Sequence, residues 1–392
     1  MKILLIGNFA PDRQESMLRF ANLLASGLRG AGHDVSTWAP EPQLVRLLPR
    51  YRYRGPAKFV GYLDKFVLFP RRIRRRLRDT DRTVVHIVDH SNAVYAPLFA
   101  GRPLLVTCHD VLQIRSARGE FSQHRVGALG RRYQEWILAN LARVPRIVVP
   151  SAQTAVELQR LAGVPAHRLA VIPHALNFPY HRASPTQARL VLGRMLRERQ
   201  LPPGLLEHSG RGFVLNIGGG QWYKNREGLL HVYAGLRRRL APPPRLVMVG
   251  KPLAPDLRAL QHRLGLDADI VHLANVSETQ LEALYSLAEA LIFPSWHEGF
   301  GWPVAEAQAC GCPVFTSDRP PMTEVGGDAA CFIDPADPAG AARCIADAWP
   351  RRTEMSARGL ARAGEWVPAL MIERYVAAYS ALAGTGAVAL PA

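Results

Sequence analysis

Short apolar runs rich in β-branched residues recur along the chain with helical stretches between them. In the first half they lie at Ile3 to Ile6, Val84 to Val88, Leu104 to Thr107, Arg146 to Val149 and Leu169 to Ile172. After the first of these, Leu18, Ala21, Ala25 and Leu28 share one face of a predicted helix that Gly30 and Gly32 can end. Strands alternating with helices predict a parallel sheet covered on both faces. The pattern restarts after a polar, proline-bearing stretch from about His174 to Gly212. Its runs lie at Phe213 to Ile217, Arg245 to Val249, Ile270 to Leu273, Ala290 to Phe293 and Pro313 to Thr316. Two doubly wound α/β domains in tandem follow, each binding ligands beyond the carboxyl ends of its strands, with the cleft between the halves as the default active site. The expected divisions are 1–180, 181–370 and a closing helix with tail, 371–392. Met371, Tyr375, Ala378 and Tyr379 at helical spacing predict that helix within Trp366 to Leu382, and Gly384 to Ala392 read as frayed.

A chain of 392 residues exceeds what one hydrophobic core organises, so composition agrees with two domains. The 48% apolar and 21% charged residues are those of a soluble globular protein. Five cysteines form no CxxC pair, and the apolar start is too short for a secretory core; both suggest reduced thiols and a cytoplasmic location. No segment approaches the ~20 apolar residues that cross a bilayer.

Charge adds a direction. Lys and Arg total 49 against 32 Asp and Glu, a formal charge of +17, which favours anionic partners. From Arg46 to Arg78 there are twelve bases, among them Arg71, Arg72, Arg74, Arg75 and Arg76, and one acid, Asp64. Aromatic and aliphatic residues, including Phe59, Tyr62, Leu63 and Phe66, are interleaved with them. This amphipathic basic surface suits an anionic membrane, on which the protein would sit peripherally at the inner face, or a polyprenyl-diphosphate-linked acceptor. As a solvated face over helical core residues it needs no partner. Nucleic acid is not expected, since none of the familiar binding signatures appears.

The segment richest in chemistry runs from Phe293 through Pro294-Ser-Trp-His-Glu-Gly-Phe-Gly-Trp-Pro to Cys312-Pro-Val, as strand, loop and then helix from about Pro303. Its carboxylates Glu298 and Glu306 stand eight residues apart, a span of ~12 Å at the helical rise. That is roughly the distance from a hexose ring to the ribose of its nucleotide. Between them Gly299, Phe300 and Gly301 bring backbone amides and a helix N-terminus that favour phosphate oxygens. The bland alternative has Glu298 capping the helix and Glu306 facing solvent. A second stretch, Leu215-Asn-Ile-Gly-Gly-Gly-Gln-Trp-Tyr-Lys-Asn, ends a strand in Gly218 and Gly219 and places Lys224 and Asn225 just beyond. Lys224 can neutralise a diphosphate leaving group in place of a metal, or be an exposed lysine on a helix's first turn. In the first half, His109 and Asp110 end a strand where a histidine can touch a transferred sugar or be a satisfied core residue. His86, Asp89 and His90 have metal-like spacing without a further ligand cluster, so no metal site is expected.

At these residues the chain resembles the large family of retaining GT-B glycosyltransferases, family four, group 1. That family includes sucrose synthases, bacterial lipid mannosyltransferases and exopolysaccharide enzymes. The specific signature is Glu298-Gly-Phe-Gly-x4-Glu306, preceded by Pro294-Ser295 and followed by Gly311-Cys-Pro-Val. Weaker support runs along almost the whole chain, from Thr107-Cys-His-Asp, Val149-Pro-Ser and Val171-Ile-Pro-His to Trp366. The resemblance implies an acceptor-side first domain, a nucleotide-sugar-binding second domain and a last helix that crosses back onto the first. It implies that Glu298 bonds the donor sugar, Glu306 the ribose and Lys224 the diphosphate, while the Phe300 and Gly301 amides meet sugar or phosphate. Leu273, Asn275 and Val276 would border the base, and His109 would lie near the transferred sugar. The implied reaction moves a hexose from a nucleotide-diphosphate sugar to an acceptor hydroxyl, with retention and no cofactor, on a saccharide or lipid-linked acceptor in polysaccharide or glycolipid assembly. Two positions depart from the pattern. The first loop reads Asn8-Phe-Ala-Pro instead of Gly-Gly, and Gly219 stands where many members carry arginine, with Arg226 the base that would replace it.

Two other classes compete. A nucleotide-sugar epimerase or dinucleotide oxidoreductase would carry GxGxxG after the first strand, where this chain has Gly7-Asn-Phe-Ala-Pro. A non-catalytic basic scaffold, on membrane or nucleic acid, would bind no nucleoside diphosphate.

Overall fold

The computed structural model describes residues 1–48, 53, 55, 57–77, 83–206 and 212–384. The expected frayed tail from 385 onward lies outside them, as do 49–52, 54, 56 and 78 of the basic stretch. The chain divides into two units, Met1–Asn177 with Pro368–Ala392, and Phe178–Val367.

Each unit is built on a six-stranded, all-parallel sheet. The first holds β1 (Lys2–Ile6), β2 (Asp34–Trp38), β3 (Val84–Ile87), β4 (Leu104–Thr107), β5 (Arg146–Val149) and β6 (Leu169–Val171), in the order β2-β1-β3-β4-β5-β6. The second holds β7 (Phe213–Ile217), β8 (Arg245–Val249), β9 (Ile270–Leu273), β10 (Ala290–Phe293), β11 (Val314–Ser317) and β12 (Ala330–Ile333). Its order is β12-β11-β10-β7-β8-β9, the Rossmann order in which the chain works outward twice from the centre. The edge strands β2 and β12 have no counterpart among the expected runs; in β2 only Val35 is buried.

Burial explains why these runs are strands. Along β1, Ile3 and Leu5 enter the core cluster on one face while Leu4 and Ile6 enter the cluster on the other, the alternation a pleated strand imposes. A strand covered on both faces is largely apolar, which is why β1, β3, β4 and β5 read as near-continuous hydrophobic runs, with His86 in β3 and Thr107 in β4 buried as a hydrogen-bonded pair.

The helix Glu15–Gly30 buries Phe20, Ala21, Leu24, Ala25 and Leu28 against the first sheet, and the chain leaves it through left-handed Gly32. The last helix, Pro368–Leu382, buries Met371, Ile372, Tyr375, Ala378 and Tyr379 in that same cluster. A Cβ on Gly27 would stand 2.5 Å from Ile372, so the bare glycine sets how closely these two helices approach. No helix among the described residues is long and apolar enough to cross a membrane.

Candidate active site

In the second unit the strand order reverses between β7 and β10. Connections leaving neighbouring strands in opposite directions open a crevice at their carboxyl ends, the usual ligand site of such a sheet. The loop after β7 carries Gly218, Gly219, Lys224 and Asn225; the loop after β10 carries Glu298, Gly299, Phe300 and Gly301.

Three bonds tie these loops together. The Trp296 amide donates to Tyr223 O at 2.7 Å, Asn225 Nδ2 donates to Pro294 O at 3.0 Å, and Lys224 Nζ donates to Glu298 Oε1 at 2.7 Å. Lys224 also lies 5.0 Å from the centroid of the Phe293 ring. The two side chains that the sequence singles out most strongly therefore form one ion pair, each about nine-tenths buried or nearly so, with 15% and 10% of the side chain exposed. Such a pair holds a concentrated charge in a partly dry setting, where electrostatic interactions with a ligand are strong.

Asn225 plays a different part from the ligand contact expected of it. It adopts a left-handed conformation, φ 50°, and its Oδ1 caps the helix Arg226–Arg237 by accepting from Gly228 N at 3.1 Å. Its amide also reaches Pro335 O, beyond β12, at 3.3 Å. One buried side chain thus pins three strand-end loops. Arg226, the base that would replace the missing arginine, is likewise committed to backbone: it donates to Gly218 O at 2.6 Å and to Lys251 O at 2.7 Å.

Gly218 is half-buried, and the Lys224 stem passes where its Cβ would be, with Cδ at 3.3 Å. Gly219 beside it is half-buried as well. Phe300 is buried edge-on against Trp366, 5.5 Å between centroids, which anchors the loop on the segment preceding the last helix. Gly301 is the left-handed N-cap of the helix Trp302–Ala309, and no side chain caps that end. Glu306 lies in this helix, buried, and its Oε2 accepts from Tyr285 OH at 2.8 Å. It therefore faces the protein, and the solvent-facing alternative fails. Tyr285 is a residue that sequence reasoning missed, because nothing in its own helix, Glu278–Leu287, marks it apart from a core tyrosine.

Leu273 ends β9, buried, and its carbonyl accepts from Gly250 N at 2.9 Å. Asn275 follows in a left-handed conformation, exposed, with half-buried Val276 beside it. Arg199 clamps this turn by donating to Ala274 O at 2.7 Å and Asn275 O at 2.8 Å.

In the first unit His109 lies two residues beyond β4, buried with its ring T-shaped against Phe20. Its Nε2 is 2.8 Å from Val88 O, so the proton sits there, and its Nδ1 accepts from His174 Nε2 at 3.0 Å. Burial lowers the pKa of both rings, so both are neutral. In this arrangement the His109 ring offers a ligand no N–H of its own. His86, with metal-like spacing in the sequence, is fully buried between Tyr379 OH, 2.7 Å away, and Thr107 Oγ1, 2.8 Å away. In the basic stretch, Arg71, Arg74, Arg75 and Arg76 are exposed. Arg76 stacks over Trp38, and Arg72 is engaged by Ala39 O and Glu41.

The chain matches the family model described as Glycosyl transferases group 1 over residues 198–358, and that described as Glycosyltransferase Family 4 over residues 18–178. It is 30% identical over 308 residues to O-antigen chain mannosyltransferase B of Escherichia coli, covering 76% of this chain and 74% of that protein. Among solved structures, sucrose-phosphate synthase from Thermosynechococcus elongatus superposes with a TM-score of 0.70 at 17% identity, covering 98% of this chain and 100% of that one. Anabaena HepE in complex with UDP and glucose superposes with a TM-score of 0.71 at 16% identity, covering 97% and 100%. Those two likenesses are of fold, two Rossmann-like domains of the GT-B type. With the switch-point loops, the two family models and the relative aligned over three quarters of its length, the chain belongs to the group 1 glycosyltransferases of glycosyltransferase family 4.

Proposed function

We infer that this glycosyltransferase moves a hexose from a nucleotide-diphosphate sugar to an acceptor hydroxyl with retention of configuration, in polysaccharide or glycolipid assembly on a saccharide or lipid-linked acceptor. The observation that carries the reading is the Lys224–Glu298 pair at the crevice of a Rossmann sheet. The name of the Escherichia coli relative supports O-antigen-type assembly and makes mannose the first sugar to try.

In this reading the leaving diphosphate competes with Glu298 for the Lys224 ammonium, and the freed carboxylate turns to the sugar hydroxyls. Charge grows on the diphosphate as the glycosidic bond breaks, so a fixed ammonium is worth more in the transition state than in the ground state. No metal is needed for that task. The departing phosphate oxygen takes the proton of the acceptor hydroxyl as it attacks from the same face, so no enzyme nucleophile is required. Glu306, oriented by Tyr285, holds the ribose; Gly218, Gly219 and the Phe300 and Gly301 amides approach the sugar and phosphates; Leu273, Asn275 and Val276 border the base. His109, a neutral ring held by Val88 O and His174, is the residue expected near the transferred sugar, and Asn225 serves by positioning Lys224.

The test is transfer and donor hydrolysis with UDP-, GDP- and ADP-sugars, with and without a chelator. Lys224→Ala and Glu298→Ala are each expected to lower kcat by 10²- to 10³-fold, the usual effect of losing one such contact. Each also strands a partly buried charge, so the double variant Lys224→Met with Glu298→Gln is included; it should regain stability and remain inactive. Wild-type rates in the two single variants would end the assignment.

A further inference from the structure

A second surface, apart from the donor site, lies on the first unit. The segment 57–76 is helical throughout, as the helix Ala57–Leu63, a π-helical turn Asp64–Leu68 and the helix Phe69–Arg76. It leaves Phe59, Tyr62 and Leu63 in solvent, Phe59 by 59%. Rings in contact lead from these residues to another element: Phe59 meets Tyr62, Tyr62 meets Phe66, and Phe66 meets Trp136, with successive centroids 5.9, 5.7 and 5.5 Å apart. Trp136 belongs to the helix Ala128–Leu141 and is 45% exposed; Leu129, two turns earlier on the same face, is 70% exposed. Two sequence-distant helices thus present one ridge of aromatic and aliphatic tips.

The same helices carry the exposed bases Lys58, Arg71, Arg74, Arg75, Arg131 and Arg132. Their carboxylates are taken up. Asp64 is buried, accepting from Leu44 N at 2.9 Å and Val45 N at 3.1 Å, and Glu135 is held by Arg118 at 2.8 Å. The ridge is therefore positive without an opposing acid of its own.

We propose that this ridge is a docking surface for an anionic phospholipid bilayer. Exposed leucine, phenylalanine and tryptophan tips on helices that also carry exposed arginines match the boundary between acyl chains and charged headgroups. A polysaccharide would stack on Trp136 and Tyr62 but leave Leu63 and Leu129 in water; nucleic acid would satisfy the arginines with the same defect. Docking brings the enzyme to the lipid surface without a spanning helix.

The experiment is co-sedimentation of the full chain with vesicles of phosphatidylglycerol and phosphatidylcholine, and with phosphatidylcholine alone. Binding is expected only where phosphatidylglycerol is present, and it should weaken as salt rises. Each surface base contributes about fivefold to partitioning, so Arg71→Glu, Arg74→Glu and Arg75→Glu together should weaken it by roughly 100-fold or more. Phe59→Ser, Leu63→Ser and Trp136→Ser together should abolish the part that survives salt. Both triple variants should hydrolyse donor sugar at the wild-type rate, which separates this surface from the donor site. Absence of wild-type binding, undiminished binding by either variant, or retention on acceptor polysaccharide in place of vesicles overturns the proposal.

Discussion

Gly250 occupies a point where two strand-end loops nearly touch. Its φ is 134°, and a Cβ there would lie 2.1 Å from the carbonyl oxygen of Gly218. Neither the backbone angle nor the backbone neighbour can yield to a side chain. Gly250→Ala is expected to cost at least ~2 kcal/mol in denaturant unfolding of the second unit, and to raise the donor KM because Gly218 shifts with it. At this scale the sequence was informative about residue type and silent about partners. Lys224, Glu298 and Glu306 stand out by chemistry and spacing, yet that Lys224 and Glu298 meet depends on two loops 74 positions apart. Asn225 and Arg226 read as candidate ligands because their spacing relative to a glycine turn is all that sequence displays. The carbonyls they bond, of Pro294, Pro335, Gly218 and Lys251, come together only in the folded unit. His109 is similar: its place just past a strand was legible, while the Val88 carbonyl that fixes its tautomer and the histidine 65 residues away that donates to it were not.

Between elements, the helix Glu278–Leu287 supports the helix Trp302–Ala309 through a buried polar contact. Tyr285, fully buried, donates to Glu306; burial and then the nearby carboxylate push its pKa up, so it remains a donor at any working pH. Tyr180 packs edge-on against its ring. On the proposal that Glu306 holds the ribose, Tyr285→Phe frees that carboxylate to rotate, and a hydrogen bond to a charged group is worth ~1.5 to 3 kcal/mol. The donor KM should rise roughly tenfold or more with kcat little changed. The affinity gap between a nucleoside diphosphate and its deoxyribose analogue should also narrow. Titration calorimetry on the pair checks it, and an unchanged gap would leave Tyr285 a packing residue. Elements differ in how plainly the sequence declares them. Interior strands do so because both faces are covered, which favours near-continuous apolar runs. Edge strands β2 and β12 need less burial, and Asp34-Val-Ser-Thr-Trp gives little hydrophobic signal. The aromatic ridge was half visible: its first helix lies within one basic stretch, while Leu129 and Trp136 join it from a helix that begins more than fifty residues further on.

Across the molecule, the first unit hides histidines that must stay uncharged. His86 is fully buried, and burial, with His109 adding to it, lowers its pKa to about 3. The unfolded chain, near 6.5, takes up the proton first, so the contribution of His86 is complete above that value and is lost as pH falls toward 3. Between pH 7.5 and 5 this amounts to about 2 kcal/mol. His86→Gln keeps hydrogen-bonding capacity without the titration. Its loss of stability on acidification, read from denaturant midpoints at the two pH values, should be smaller than wild type by that amount. Equal losses would show that His86 is solvated.

That histidine's partner, Tyr379, sits in the last helix, and this has a consequence for how the protein is made and remade. The first unit's core waits for residues that leave the ribosome after the entire second unit, so nascent chains spend that interval with Val84, Leu105 and Val148 short of their final cover. The second unit is in effect an insertion with two splice points, near 177 and 367. A chimera that exchanges it for a relative's must honour both, and a simple C-terminal swap would import foreign Met371, Tyr375 and Tyr379 into a native core.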